Sequence, residues 1–454
     1  MDVKAYIAEY VRKARIAQKE IENYTQEQVD LLVKTIAKTV YDHAEELAQL
    51  AVEETGMGKY EDKVQKNKGK ARIIWNNLKD KKSVGIINRD EKTGIVEIAK
   101  PVGVVGAITP CTNPIVTPMC NAMFAVKGRN AIIFTPHHRA VRSSTYTVEL
   151  INQELKKLHA PENLIQILGE RSREHTRELI SAVDVVVATG GMGMVKAAYS
   201  SGKPAYGVGA GNVQCIIDRD VDFEEAVPKI ILGRTFDNGI ICSGEQTVIV
   251  HEDDYDQVIE IFKKNGAYYV DDPQEKEQFR KAIFVDGAMN RHAIGQSAQK
   301  IAELAGVEIP PETRVILIEA DGVGEEDILC KEKMCPVMAT FRYKDFKEAV
   351  QIAQKNLDVE GKGHSVAIHS NTKENIEYAG TVLTVSRLVV NQPSSTSAGG
   401  SFYNGFAPTT TLGCGSWGNN SISENLDYKH LLNISRIGYY KQDAYVPSDE
   451  ELWG

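Results

Sequence analysis

The fold is constrained most by an alternation of apolar runs and helical segments between residues 101 and 190. The runs are too apolar to leave one face in water, so they are predicted to be strands buried on both faces. These strands cover residues 101–110, 130–136, 164–168 and 183–190. Segments with helical spacing lie between them. This alternation is typical of a doubly wound parallel sheet, which binds ligands beyond the carboxyl ends of its strands.

A second alternating region follows between residues 219 and about 405. Strands are predicted at 315–318, 338–342, 365–369 and 388–391, and helices at 223–232, 255–265, 273–282 and 289–305. We therefore predict an α/β protein with two doubly wound domains. The first domain comprises residues 1–218 together with 406–454, and the second comprises residues 219–405.

The chain begins with helices. Residues 25–28, Thr-Gln-Glu-Gln, form a capping-box sequence at the start of the second helix. The helix at 60–80 is rich in lysine, which predicts a solvated face. The apolar pattern then changes to a period of two, which predicts an antiparallel hairpin over residues 83–99.

Charge and composition argue against several kinds of partner. The net charge of -9 disfavours nucleic acid and an anionic membrane surface. Without an apolar run of about 18 residues or an export signal, the protein is expected in the cytoplasm and away from membranes. Seven cysteines in such a chain do not indicate disulfides. His364 and His369 lack further ligands at metal-binding spacing, so no metal site is predicted.

One cysteine stands out by its surroundings. Cys242 follows the turn dipeptide at residues 238–239 and precedes a strand-like run at 247–250. Ser243 and Gly244 are small neighbours that would let a carbonyl group approach the sulfur atom. Cys242 is therefore a candidate nucleophile. The alternative is a buried, inert cysteine after a turn.

Polar and glycine residues fall at the predicted carboxyl ends of the first-domain strands. Asn113 follows the first strand, residues 136–139 follow the second, and Gly190 ends the fourth. Residues 190–193 give a Gly-x-Gly pattern in which Lys196 takes the place of the third glycine of the usual dinucleotide motif. This turn is either a nucleotide contact or a tight connection. Asn113 could equally be a turn or cap residue.

Together these features resemble the aldehyde dehydrogenase superfamily in its coenzyme A-acylating branch. The resemblance covers essentially the whole chain and is greatest to the coenzyme A-dependent succinate semialdehyde dehydrogenases of anaerobic clostridia. It rests on Asn113 and on residues 53–64, 116–123, 190–193, 236–246, 333–337, 412–424 and 452–454. It implies a first domain that binds the cofactor and a second that is catalytic. It also implies a homodimer or tetramer joined through the 83–99 hairpin and the C-terminal tail.

The resemblance implies that Cys242 and Asn113 are catalytic. Cys242 as a thiolate adds to the aldehyde, the Asn113 side chain and the Cys242 N–H stabilise the alkoxide, and coenzyme A accepts the acyl group. The implied reaction is the reversible reduction of succinyl-CoA to succinate semialdehyde. An acylating acetaldehyde, propionaldehyde or butyraldehyde dehydrogenase is the alternative. A nucleotide-binding protein without activity is disfavoured because both residues are present.

The resemblance also assigns residues to a nicotinamide cofactor. They are Thr109, Pro110, Pro136, His137, Arg139, Gly190, Gly191, Gly193 and Glu332. A cation in the segment that meets the adenosine ribose would suit a 2′-phosphate, so Arg139 favours NADP, with NAD as the alternative. Glu332 matches the residue that holds the nicotinamide ribose, and its other interpretation is a solvated charge between two lysines.

Two further segments bear on the acyl acceptor and the substrate. Relatives that hydrolyse their acyl-enzyme carry a glutamate where this chain has residues 207–212, which contain no acid. Water needs such a base more than a thiol does, so coenzyme A is the expected acceptor. Ser394 and Ser395, in a loop at 392–400, are predicted to bind the substrate carboxylate through hydroxyl and N–H groups, and Ser243 to contact the substrate. The alternative for the loop is a flexible surface segment.

Overall fold

The N-terminal part of the computed structural model is helical. The structure describes residues 2–454, apart from the side chain of Met192. The first helices are α1 (Val3–Ile21), α2 (Gln26–Asp42), α3 (Ala44–Thr55) and α4 (Tyr60–Leu78). The predicted capping box is confirmed, because the side chains of Thr25 and Gln28 each accept a hydrogen bond from the other residue's backbone N–H. The apolar faces of these helices join the core of the first sheet.

The predicted hairpin follows. Strands β1 (Gly85–Asp90) and β2 (Ile95–Pro101) pair antiparallel, with Gly85 opposite Ala99 and Asp90 opposite Ile95. A bulge between Ile86 and Asn88 interrupts the register. The strand pairing that the change of apolar period at residue 83 predicts is therefore confirmed.

The first domain contains the predicted parallel sheet. Its elements are β3 (Val104–Thr109), α5 (Val116–Lys127), β4 (Ala131–Pro136), α6 (Val141–Lys157), β5 (Ile165–Ile167), α7 (Arg173–Ala182), β6 (Val185–Thr189), α8 (Met192–Tyr199) and β7 (Ala205–Val208). The strand order is β5-β4-β3-β6-β7. The order in which the strands are added therefore reverses between β3 and β6. In sheets of this type, ligands bind at such a point, beyond the carboxyl ends of the two strands, which are Thr109 and Thr189 here.

The second domain is also a doubly wound sheet. Its elements are β8 (Gln214–Ile217), α9 (Phe223–Thr235), β9 (Thr247–His251), α10 (Tyr255–Lys264), β10 (Ala267–Val270), α11 (Pro273–Ile283), β11 (Phe284–Val285), β12 (Ala288–Met289), α12 (Ala298–Ala305), β13 (Val315–Glu319), β14 (Val337–Tyr343), α13 (Phe346–Val359), β15 (Gly363–His369), α14 (Lys373–Val382), β16 (Val385–Val390) and α15 (Ser394–Ser397). Seven parallel strands lie in the order β10-β13-β14-β9-β8-β15-β16. Apolar clusters cover both faces of this sheet.

Two expectations from the sequence need correction. Strand β8, expected within residues 1–218, pairs with β9 and β15 and so belongs to the larger sheet. An apolar run does not show which sheet it completes, because the pairing partner is distant in sequence. The helix expected at 289–305 forms only over α12, since Met289 belongs to the short antiparallel pair β11–β12.

The C-terminal segment returns to the hairpin. Strand β17 (Leu432–Gly438) pairs antiparallel with β2 and completes a three-stranded sheet, and α16 (Asp449–Trp453) ends the chain. Large apolar side chains of this tail lie on the surface, including Tyr440, Tyr445, Val446 and Trp453. Among residues 2–454, no helix combines the length and apolar character needed to cross a membrane.

Candidate active site

Cys242 lies in the turn between α9 and β9, after three successive residues with left-handed backbone. Asp237, Asn238 and Gly239 have φ angles of 52°, 53° and 72°. A residue other than glycine pays roughly 1–2 kcal/mol for this conformation, so surrounding contacts must hold it. The Asn238 side chain donates to the carbonyl oxygens of Gly58 and Gly295, at 3.3 and 3.0 Å. The position of the thiol is thus fixed by contacts outside its own loop.

Helix α4 holds the carboxylate of Asp237. The ammonium groups of Lys63 and Lys66 lie 3.0 and 2.6 Å from Asp237 Oδ2, and the side chains of all three residues are at most 8% exposed. The N–H of Lys59 donates to Asp237 Oδ1 at 3.0 Å. The prediction of a solvated face is therefore wrong for these lysines, because a buried carboxylate from the second domain pairs with them.

Asn113 joins the same network at the carboxyl end of β3. Lys66 Nζ donates to Asn113 Oδ1 at 2.8 Å while it pairs with Asp237. Because the amide oxygen is engaged by a cation, the Nδ2 group is the donor that Asn113 offers to a ligand. A chain of charge-assisted hydrogen bonds therefore links Asn113 to the turn that carries Cys242.

The environment of Cys242 keeps its thiol protonated. Burial raises the pKa of Cys242 to about 12, and Glu332 and Cys414 add to the increase while Arg387 opposes it. A β-carbon on Gly211 would overlap the backbone of Cys242, so only glycine lets these segments approach. The sulfur atom is therefore a neutral thiol before substrate arrives, and attack must be accompanied by loss of its proton.

Glu332 is positioned by Gly211, the glycine that lies against the backbone of Cys242. Its Oε1 atom accepts a hydrogen bond from the N–H of Gly211 at 3.1 Å, and its own N–H donates to Glu360 at 2.8 Å. Burial raises the pKa of Glu332 to about 8, with a further contribution from Glu360. The alternative of a solvated charge between two lysines does not describe this half-buried residue, which lies beside the cysteine.

The predicted cofactor residues of the first domain lie at the carboxyl ends of β3, β4 and β6. Thr109 is buried at the end of β3, and its hydroxyl has no hydrogen-bond partner among the described residues. A β-carbon on Gly190, Gly191 or Gly193 would meet no atom within 4 Å, and none of these glycines has a positive φ. Neither packing nor turn geometry therefore requires glycine at these positions. The space beside them is open to a ligand. Pro110 and Pro136 lie at the ends of β3 and β4.

The basic residues after β4 make defined contacts. Arg139 Nη2 donates to the carbonyl of Thr55 at 2.8 Å, which anchors the guanidinium at the end of α3. The ring of His137 stacks on His138 with 4.1 Å between centroids. Burial, with smaller effects of His138 and Arg139, lowers the pKa of His137 to about 4. The Arg139 guanidinium is therefore held in place in this turn, and His137 is neutral at neutral pH.

The predicted substrate residues lie on a buried segment. Ser394 and Ser395 begin the short helix α15, both are buried, and neither hydroxyl has a hydrogen-bond partner within residues 2–454. The N–H of Ser394 donates to Glu245 Oε1 at 2.7 Å, so the expectation that this N–H is free for a ligand is wrong. Burial excludes the alternative of a flexible surface loop. Ser243 is also buried, directly after Cys242.

Sequence reasoning missed His364. This residue is fully buried beside Arg387, which donates to the His364 carbonyl at 2.8 Å, and its Nε2 atom has no partner in the described part of the chain. Burial lowers its pKa to about 3, so the ring is neutral. The sequence offered only a glycine before this histidine as a signal. In the structure Gly363 has φ 85°, and a β-carbon there would overlap Cys414. Within residues 2–454, no three His, Cys, Asp or Glu side chains are grouped to hold a metal ion.

Sequence and fold are similar to those of known dehydrogenases. Residues 3–431 match the aldehyde dehydrogenase family. The chain is 60% identical to a succinate-semialdehyde dehydrogenase (acetylating) of Clostridium kluyveri, over the full length of both. The structure of an acetylating aldehyde dehydrogenase from Geobacillus thermoglucosidasius superposes with a TM-score of 0.94 at 39% identity and covers 98% of each chain. A propionaldehyde dehydrogenase of Rhodopseudomonas palustris, solved with bound CoA and an acylated cysteine, gives 0.86 at 29% identity, over 95% of this chain and 97% of that one.

Proposed function

Because this chain belongs to the aldehyde dehydrogenase family, we propose that it is an oxidoreductase that interconverts succinyl-CoA and succinate semialdehyde with a nicotinamide cofactor. The observation that carries the proposal is the network in which Lys66 joins Asn113 to the Asp237 turn before Cys242. Full-length identity to the acetylating enzyme of Clostridium kluyveri supports the substrate. Bound CoA and the acylated cysteine of the Rhodopseudomonas palustris enzyme support the acyl acceptor.

Cys242 is the proposed nucleophile. In the reductive direction its sulfur attacks the thioester carbon of succinyl-CoA, the bond from that carbon to the CoA sulfur breaks, and the CoA thiolate takes up a proton. The succinyl group is then held as a thioester on Cys242. When bound, the nicotinamide cofactor would supply the hydride that reduces this thioester, or accept the hydride in the reverse direction. In the reductive direction the bond from the carbonyl carbon to the Cys242 sulfur breaks, which releases the aldehyde, and the sulfur takes up a proton.

Asn113 is the proposed donor to the negative oxygen. Its Nδ2 group and the N–H of Cys242 would share the charge that develops during attack. Lys66 fixes the amide through Oδ1 and brings a positive charge behind it. Because these groups are held before substrate binds, they need no rearrangement during the reaction, which is the condition for effective electrostatic stabilisation.

Proton transfer needs a group that can accept from a thiol. His364 is neutral and buried, and its Nε2 atom is unpartnered among the described residues, so we propose it as the base that exchanges protons with the reacting sulfur atoms. Arg387 connects it to the site, because this guanidinium contacts the His364 carbonyl and also lowers the pKa of Cys242.

The cofactor is proposed to be NADP, with NAD as the alternative. Thr109 and Pro110 at the end of β3, Pro136 and His137 after β4, the open glycines 190, 191 and 193, and Glu332 are proposed to hold it. Arg139 is proposed to meet the 2′-phosphate, and its anchor on Thr55 supports this role because the guanidinium is held before the ligand arrives. Ser243, Ser394 and Ser395 are proposed to contact the substrate.

We expect Arg139→Ala to weaken NADP binding more than NAD binding. A charged hydrogen bond to the 2′-phosphate contributes about 1.5–3 kcal/mol, which corresponds to a roughly 10- to 150-fold change in Kd. Titration of intrinsic protein fluorescence with each cofactor measures the effect. His138→Ala is the matched control, because His138 is the exposed neighbour in the same turn. Equal losses for both cofactors would contradict the assignment.

Sustained aldehyde oxidation is expected to require coenzyme A. Without it, the enzyme should reduce about one equivalent of cofactor per active site and stop, because residues 207–212 contain no acid to activate water. The absorbance of the reduced nicotinamide, followed with succinate semialdehyde before and after CoA is added, tests this directly. Continuous turnover to the free acid without CoA would indicate a hydrolytic dehydrogenase.

The protein is further proposed to form a homodimer, or a tetramer built from dimers, in the cytoplasm. The β1–β2–β17 sheet and the tail after it are the proposed interface. Their exposed apolar side chains support this assignment, since Tyr440 is 89% exposed and Val446 and Trp453 are each 81% exposed. The seven cysteines are all free, which supports the proposed cytoplasmic location.

A further inference from the structure

Helix α4 carries a third cation toward the active site. Lys63, Lys66 and Lys70 follow one another at spacings of three and four residues and so share one helical face. Asp237 neutralises charge at the first two. Lys70 Nζ instead donates to the carbonyl oxygens of Gly399 and Thr409, at 2.8 and 3.1 Å. Within residues 2–454, no carboxylate forms an ion pair with it.

The charge on Lys70 is poorly compensated. Burial lowers the pKa of Lys70 to about 8, Cys120 and Cys242 act in the opposite direction, and Lys66 adds to the decrease. Lys70 therefore lies within the electrostatic range of the nucleophile. Two carbonyl dipoles leave one of its three N–H donors unassigned. A cation in this position gains stability from any anion that enters the site.

Helix α5 lies alongside α4, and its residue Cys120 lies within electrostatic range of Lys70. Lys66 contacts Asn113 just before α5, and Lys127 near its end donates to the carbonyl of Leu78 at 2.8 Å, so the two helices run in the same direction. Thr117 and Asn121 lie four residues apart and share one face of α5, and the Thr117 N–H donates to the Asn113 carbonyl at 3.3 Å. Because Lys70 lies one turn after Lys66, which contacts Asn113, it is level with the first turns of α5.

Polar side chains on α5 and α15 have unused hydrogen-bonding capacity. Thr117 Oγ1 and both polar atoms of the Asn121 amide are buried and unpartnered within the described residues. The same holds for the hydroxyls of Ser394 and Ser395 in α15, the segment that leads to the Gly399 carbonyl. Buried polar groups without partners are costly, so their presence on α5 and α15, the two elements linked to Lys70 through Cys120 and Gly399, indicates a polar ligand.

We propose that Lys70 binds the distal carboxylate of the four-carbon substrate, an inference that rests on the proposed function. Asn121, Thr117 and the α15 serines would donate hydrogen bonds to the same carboxylate. An ammonium group and neutral donors together satisfy a carboxylate that enters a buried site. A substrate with a methyl group in place of the carboxylate would leave these groups unsatisfied. The site would then discriminate by charge as well as by length.

The test compares succinyl-CoA with butyryl-CoA, which has the same chain length without the carboxylate. In the wild-type enzyme, kcat/KM for reduction should be higher for succinyl-CoA. In Lys70→Met, kcat/KM for succinyl-CoA should fall roughly 10- to 100-fold, the scale of a charged hydrogen bond, while the value for butyryl-CoA stays the same or rises. Lys68→Met is the matched control, because Lys68 lies on the same helix in a solvent-accessible pair with Glu45.

The outcomes separate this inference from the proposed function. A wild-type enzyme that reduces neither thioester contradicts the proposed function, whereas one that reduces both without preference contradicts only the role of Lys70. Equal losses for both thioesters in Lys70→Met would make Lys70 a structural tie to Gly399 and Thr409 and overturn the proposal. If thermal unfolding shows that Lys70→Met does not fold, Lys70→Gln retains N–H donors for the two carbonyls and is judged by the same comparison.

Discussion

Cys242→Ala should abolish turnover in both directions without altering the fold. The sulfur atom is the only group proposed to carry the acyl chain, so its loss removes the covalent route, and kcat should fall by about 10⁴-fold or more. Steady-state rates with succinyl-CoA and with succinate semialdehyde measure the effect. Intact-protein mass spectrometry after exposure to succinyl-CoA gives a second readout, with one acyl group expected on the wild type and none on the variant.

The control for this variant is Cys330→Ala. Cys330 is also buried, and its thiol donates a long hydrogen bond of 3.8 Å to the carbonyl of Gly322. Its removal should preserve most activity and acylation. Turnover above background in Cys242→Ala, or an acyl group on another cysteine, would overturn the assignment of the nucleophile.

Asn113→Ala should lower kcat/KM by about 10²- to 10³-fold, the usual loss for one donor to an oxyanion. The thiol would still attack, so acylation should remain detectable by mass spectrometry but become slow. Both thioester reduction and aldehyde oxidation should lose rate, because the same negative oxygen forms in each direction. An unchanged rate would make Asn113 only a turn residue before Pro114.

Asn113→Asp separates the donor role from the turn role. Aspartate has nearly the same shape, is equally common in turns, and can accept the hydrogen bond of Lys66 at the same position. It lacks the Nδ2 donor and adds a negative charge where another negative charge develops. We therefore expect at least the loss seen in Asn113→Ala, with thermal stability preserved. Recovery of activity in this variant would contradict the donor assignment.

Several parts of this protein can be predicted from local sequence. Buried parallel strands consist of continuous apolar runs, so the sequence pattern alone identifies β3, β4, β5 and β6. The hairpin β1–β2 and the Thr25 capping box depend on neighbouring residues and are equally visible. Cys242 is marked by a turn dipeptide and small neighbours, and the family resemblance then relates it to Asn113.

The charged network is not visible in the sequence. Lys66 lies 171 residues from Asp237 and 47 from Asn113, and Lys70 lies 329 residues from Gly399. A lysine-rich helical face has the same spacing whether water or a buried carboxylate covers it, so the local pattern predicts solvent. Only the packing of α4 between the two domains decides which of these lysines are buried.

The sequence by itself therefore determined the two α/β sheets, the hairpin and the choice of Cys242 as the candidate nucleophile, because each depends on residues close together in the chain. Tertiary structure alone decided that β8 completes the larger sheet, that Lys63 and Lys66 pair with a buried carboxylate, and that His364 is buried beside Arg387. The residues that surround this strand and these side chains come from segments far apart in the sequence. Burial and charge compensation, which set their protonation and their chemistry, exist only once those segments are packed together.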